Sequence, residues 1–98
     1  MDENQEKKVT DFYERLKMEL DNSNTWPAEY LFKFIVPTVE NNVQFVEDCF
    51  DNMGAVIRTT QSKTAKFTSI SVDVTMQNAD EIIEKYKTVS IIKGIVSL

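Results

Sequence analysis

The 98-residue chain has no histidine, a single cysteine and no surplus of positive charge, with 11 Lys and Arg against 16 Asp and Glu. Each shortage closes off a class of chemistry. Without histidine there is no imidazole zinc site, no Ser-His-Asp triad and no histidine pH switch. One cysteine makes neither an internal disulfide nor a Cys-x-x-Cys redox or metal motif, and a lone thiol fits a reducing compartment. A formal charge of −5 argues against a binder of the nucleic-acid backbone, which carries a basic face. No apolar run approaches the ~20 residues of a membrane span. The opening Met1-Asp2-Glu3-Asn4-Gln5-Glu6-Lys7-Lys8 is too polar for a secretory signal. The expected setting is therefore cytoplasmic, with no cofactor, no nucleic acid and no membrane.

What is present suits one small globular domain, with 42% hydrophobic and 28% charged residues in a length that supports a single core. The charge is unevenly spread. Residues 39–53 hold Glu40, Glu47, Asp48 and Asp51 with no base, whereas 55–67 hold Arg58, Lys63 and Lys66 with no acid. The molecule should be polarised between an acidic helix and a basic hairpin.

The spacing predicts a helix from Val9, with Val9, Phe12, Tyr13, Leu16 and Leu20 on one face, stopped by the Asp21-Asn22-Ser23-Asn24 cluster. A helix of this length is marginal alone and must dock. Tyr30 to Val36 is too rich in aromatic and branched residues to be anything but a strand, with Tyr30, Phe32, Phe34 and Val36 on one face and Leu31, Lys33 and Ile35 on the other. Pro37 ends it. Thr38 reads as the N-cap of a helix carrying Val39, Val43, Val46, Phe50 and Met53, which Gly54 stops in a left-handed cap. A second strand spans 55–60 and a third 66–76, the latter alternating Ile70, Val72, Val74 and Met76 inward with Ser69, Ser71, Asp73 and Thr75 outward. Asn78 and Glu81 form a capping-box pattern ahead of a helix bearing Ala79, Ile82, Ile83 and Tyr86. A fourth strand is expected from Val89 to about Val96.

Residues 1–24 thus read as an N-terminal polar tail and amphipathic helix, and 25–98 as the main domain. The latter's order, β-α-β-β-α-β, predicts an α+β ferredoxin-like sandwich: a four-stranded antiparallel sheet, first and third strands central, both helices on one face. The fold hosts many functions, so each must be argued from its site. Base stacking needs aromatics on the outer face of the third strand, where Ser69, Ser71 and Asp73 stand and Phe67, at the strand's start, is the only near candidate. A phosphate cradle after the first strand needs glycine or arginine, and neither occurs between 37 and 53. Paired cysteines for copper are missing there too. The carboxylates Glu47, Asp48, Asp51, Asp80, Glu81 and Glu84 lie on helices and read as solvent-facing. Cys49 borders an apolar stripe with no histidine to activate it, and reads as a small buried hydrophobe.

The helix-free sheet face remains. Leu31, Lys33, Ile35 and Asp73 are expected there, joined by Ile91, Lys93 and Ile95 of the last strand, with Lys33, Asp73 and Lys93 forming a charge row. Four large aliphatics on an open sheet are too many to leave wet. Either the leading helix covers them, or a second copy or a partner does. The candidate interaction residues are therefore Leu31, Lys33, Ile35, Arg58, Lys63, Lys66, Asp73, Ile91, Lys93 and Ile95, and the expected partner is a protein, with self-association or a small metabolite as alternatives. No residue is expected to be catalytic.

Tyr30-Leu31-Phe32-Lys33-Phe34-Ile35-Val36-Pro37, Ser62-Lys63 followed by Lys66-Phe67-Thr68-Ser69-Ile70-Ser71-Val72, and Val89-Ser90-Ile91-Ile92-Lys93 together resemble the YbeD-like family of small bacterial proteins. The resemblance covers residues 26–96. It implies a ferredoxin-like fold akin to ACT regulatory domains, in a family whose function is uncharacterised and which carries a lipoate-related regulatory label. An ACT-like reading would place a metabolite pocket near Pro37 and Thr38. The chain departs from the family pattern at Thr64, where glycine is common.

Overall fold

The computed structural model describes residues 3–39 and 41–98. Three helices and four strands follow in the order α1 (Glu3–Ser23), β1 (Ala28–Pro37), α2 (Asn42–Asp48), β2 (Val56–Gln61), β3 (Phe67–Met76), α3 (Ala79–Val89) and β4 (Val96–Ser97). The strands make one antiparallel sheet in the order β2-β3-β1-β4, an α+β fold compatible with a ferredoxin-like arrangement. No helix among the described residues is long and apolar enough to cross a membrane.

The spine of the sheet is the ten-residue pairing of β1 with β3, from Ala28 opposite Met76 to Pro37 opposite Phe67. Its period-two pattern puts Phe32, Phe34, Val36, Ile70, Val72, Val74 and Met76 on one face, all buried under the helices. Phe32 is the hub of that core. Its ring stacks on Phe34 and lies 5.0 Å from Phe50 and 5.2 Å from Tyr86, so β1, the turn after α2 and α3 all meet on it. The start of α3 is closed as expected: Asn78 Oδ1 accepts from the Glu81 amide at 2.8 Å, and Glu81 reaches back to the amide of Gln77 at 3.2 Å. These contacts satisfy amides that the first helical turn leaves without partners.

Three expectations need correction. Thr38 is no helix cap. Its amide donates to Lys66 O at 2.8 Å and its hydroxyl bonds Thr68 at 2.6 Å, so the ladder runs one residue past Pro37 and α2 starts only at Asn42. Nor does α2 reach Met53. After Asp48 the chain tightens into turns that end at Gly54, in the left-handed region at φ 68°.

The third correction is the largest. Val89 is not the start of a strand but the last residue of α3, fully buried one turn beyond Tyr86. The next residues turn, and Gly94 sits at φ 83° where a Cβ would come within 3.2 Å of the Pro37 ring. Only then does the chain join the sheet, and β4 pairs just Val96 with Ile35 and Ser97 with Phe34.

The leading helix does not cover the open sheet face. Leu20 is buried in the core, Tyr13 and Leu16 pack against it, and Lys17 reaches Asp80 of α3 at 3.1 Å. Lys87 of α3 lies 5.0 Å above the Tyr13 ring, a cation–π contact. α1 is thus a third member of the helical layer. Val9 and Phe12, from the same apolar stripe, stay exposed.

Candidate functional site

Strand register orders the outer face into rows. Val96, Ile35, Ser69 and Thr60 lie side by side across the four strands. The next row is Lys33, Ser71 and Arg58, and the next Leu31, Asp73 and Val56. Phe67, diagonal to Ile35, adds a ring that is 46% exposed. An apolar cluster of Val96, Ile35 and Phe67 therefore sits between two sets of cations: Lys33 and Arg58 on one side, and Lys63 and Lys66 in the β2–β3 turn on the other.

Arg58 reaches diagonally across the strands to Asp73 at 2.9 Å, so this pair replaces the expected row of Lys33, Asp73 and Lys93. Lys33, Lys63 and Lys66 have no salt-bridge partner among the described residues. The turn that carries the last two is tightly built. The Ala65 amide donates to Ser62 O at 2.8 Å, Ser62 N donates to Phe67 O at 2.8 Å, and Ala65 itself takes the left-handed conformation at φ 59°. The strained position is thus Ala65, next to Thr64.

Of the expected face residues, Leu31, Lys33, Ile35, Arg58 and Asp73 are brought together. Ile91, Lys93 and Ile95 are not, because the strand that was to carry them is replaced by a turn. Ile95 is half-buried against the core. Ile91 and Lys93 instead line an open cleft of about 700 Å³ at the end of the sheet, with Pro37, Val39, Asn42 and Phe45. Val56 and Val96 were not among the expected face residues, and Phe67 was weighed there only as a base-stacking aromatic. Their signal was the strand alternation that places them in phase with Arg58, Ser69 and Ile35.

Two groups elsewhere are shifted from their ordinary ionisation. Burial pushes the Cys49 thiol up, against an opposing effect of Lys85 and with a smaller contribution from Asp48, which disfavours the reactive thiolate. Burial also raises Tyr86, helped by its 2.7 Å hydrogen bond to the Tyr30 hydroxyl and by the charge Tyr30 would carry. Several helix carboxylates have partners: Asp48 accepts from Gln44, Asp80 pairs with Lys17, Glu81 closes the α3 cap and Glu84 lies 4.0 Å from Lys87. No cluster of three or more Cys, Asp or Glu able to hold a metal ion occurs among the described residues.

A family model described as a protein of unknown function (DUF493) matches residues 21–97, from the last turn of α1 through β4. No curated protein and no solved structure matches the chain. The chain belongs to that family.

Proposed function

We propose that this DUF493 member is a non-catalytic, cytoplasmic binding domain whose outer sheet face and β2–β3 turn engage an acidic surface of a partner protein in a regulatory role. The carrying observation is the Val96, Ile35 and Phe67 cluster, which no element among the described residues covers and which cations bracket in a protein of net charge −5. Exposed apolar area of this kind costs free energy unless something covers it, and the flanking lysines favour a partner of opposite sign. A YbeD-like kinship, carried by the aromatic-Lys-aromatic first strand and the Ser62-Lys63 turn, goes with this reading.

The test is quantitative capture of bound proteins by the full chain and by a variant with Lys33, Lys63 and Lys66 reversed to Glu. The expected outcome is loss of the salt-sensitive partners. Identical capture by the two proteins overturns the reading.

A second, ACT-like reading is favoured by the cleft beside Pro37, where Lys93 and Asn42 stand beside Phe45, Val39 and Ile91. A small carboxylate with an apolar body suits that lining. A thermal-shift screen with amino acids and lipoate checks it, since a ligand bound only by the folded state raises Tm.

A further inference from the structure

β4 leaves part of the sheet unfinished. It pairs only with Phe34 and Ile35, and beyond Ser97 the Leu98 amide adds a bond to Lys33 O at 2.9 Å. Along β1 the main-chain groups alternate in direction. The Thr38 amide points to the β3 side and the Lys33 carbonyl to the β4 side. By that alternation the N–H and C=O of Glu29 and Leu31 also point to the β4 side, where among the described residues no strand runs beside residues 28–32.

This open lane is roofed. Phe12, Tyr13 and Leu16 of α1, Tyr30 of β1, Tyr86 of α3 and Leu98 line a mostly apolar groove of about 330 Å³ along it. The Tyr30 and Tyr86 hydroxyls bond each other at 2.7 Å. Whichever donates in that pair, the other keeps a hydrogen to offer a ligand. The groove therefore presents an apolar wall, one hydroxyl donor and an unpaired strand edge in a single line with β4.

The geometry points to a β-augmentation site. An extended peptide segment, apolar at alternate positions, runs antiparallel to β1 in line with β4, pairs with Glu29 and Leu31, and turns every second side chain under α1 toward Phe12, Leu16 and Tyr30. Strand addition of this kind takes affinity from main-chain bonds and specificity from pockets under alternate residues. A second copy fits worse. Direct β1–β1 pairing about a two-fold would bring two α1 helices, each about 10 Å across, over edges only about 4.8 Å apart. This site is the sheet's edge, separate from the outer face proposed above.

The probe is an octapeptide of alternating valine and threonine, used free and also fused directly after Leu98, where it continues β4 at an effective concentration on the order of millimolar. The readout is amide hydrogen exchange at Glu29 and Leu31. Fusion, or saturation with the free peptide, is expected to slow both amides at least tenfold. The free peptide N-methylated on the amides that face β1 is expected to give no protection. Phe12→Glu, at an exposed helical position, is expected to cut the protection at least tenfold while core amides such as Phe32 keep theirs. Unchanged exchange in the fused protein overturns the proposal, as does equal protection by the methylated peptide. Protection already present without peptide and growing with protein concentration assigns the lane to a second copy, which also overturns it.

Discussion

Leu31 and Phe32 are neighbours in one strand, yet Phe32 is fully buried against four aromatic rings and Leu31 is 41% exposed on the far side of the sheet. The contrast extends across β3, where Ile70, Val72 and Val74 are buried and Ser69 and Asp73 are exposed. Among the described residues three helices serve one face and none serves the other. A small domain has one helical layer to spend, so the inner face carries the core and the outer face is left to solvent in the monomer.

The sharpest way to break this comparison is to truncate one residue on each face. Phe32→Ala is expected to lose roughly 3–5 kcal/mol in urea unfolding, a large share of a small domain's stability. Leu31→Ala is expected to lose less than about 1 kcal/mol. Similar losses at the two positions would mean that the outer face is also packed in solution.

A smaller effect belongs to the inner layer at high pH. Tyr86 is raised by burial and by Tyr30, so the unfolded chain ionises first, near the ordinary tyrosine value of about 10. The stability this group contributes is complete below that pH and is lost as pH climbs toward the folded value. Tyr86→Phe is expected to cost about 1 kcal/mol at neutral pH and to make the alkaline decline shallower, as read from melting curves between pH 8 and 11.

The rim of the outer face offers a change of opposite sign. Ala65→Gly is expected to stabilise by about 0.5–1 kcal/mol, because glycine adopts the left-handed conformation without the Cβ penalty. The smallest effect is expected on the open face itself. Arg58→Ala should change stability by no more than about 0.5 kcal/mol, and by less still at high salt, since the pair with Asp73 is solvent-exposed on both sides and screened by added ions. A loss above about 2 kcal/mol there would contradict an open outer face.

Much of this architecture is legible in the residues themselves. The alternation of β1 and β3, the Asn78 cap and the apolar stripe of α3 are local patterns, and each appears where its period places it. The same alternation is why Leu31, Lys33, Ile35, Arg58 and Asp73 share a face. Ile91, Lys93 and Ile95 failed for a reason equally physical. Val89, Ile91 and Ile92 are branched residues that suit a strand, but Val89 also continues the helical spacing of Ile82, Ile83 and Tyr86, and burying it against the core outweighs a weak strand preference. The start of α2 was illegible because Thr38 is a good cap until Thr68, thirty residues away, takes its hydroxyl.

By itself the sequence determined that this is a one-core α+β domain without histidine or paired-thiol chemistry, and which residues of β1 and β3 turn inward. Those properties depend on composition and on the period-two geometry of a single strand. Only the tertiary structure decided that α1 joins the helical layer, that β4 shrinks to two residues and that the edge of β1 beside Glu29 and Leu31 stays open under α1. Those outcomes turn on competition between segments far apart in the chain for the same apolar surface. The winner is set by how much area each buries in three dimensions, which no local pattern records.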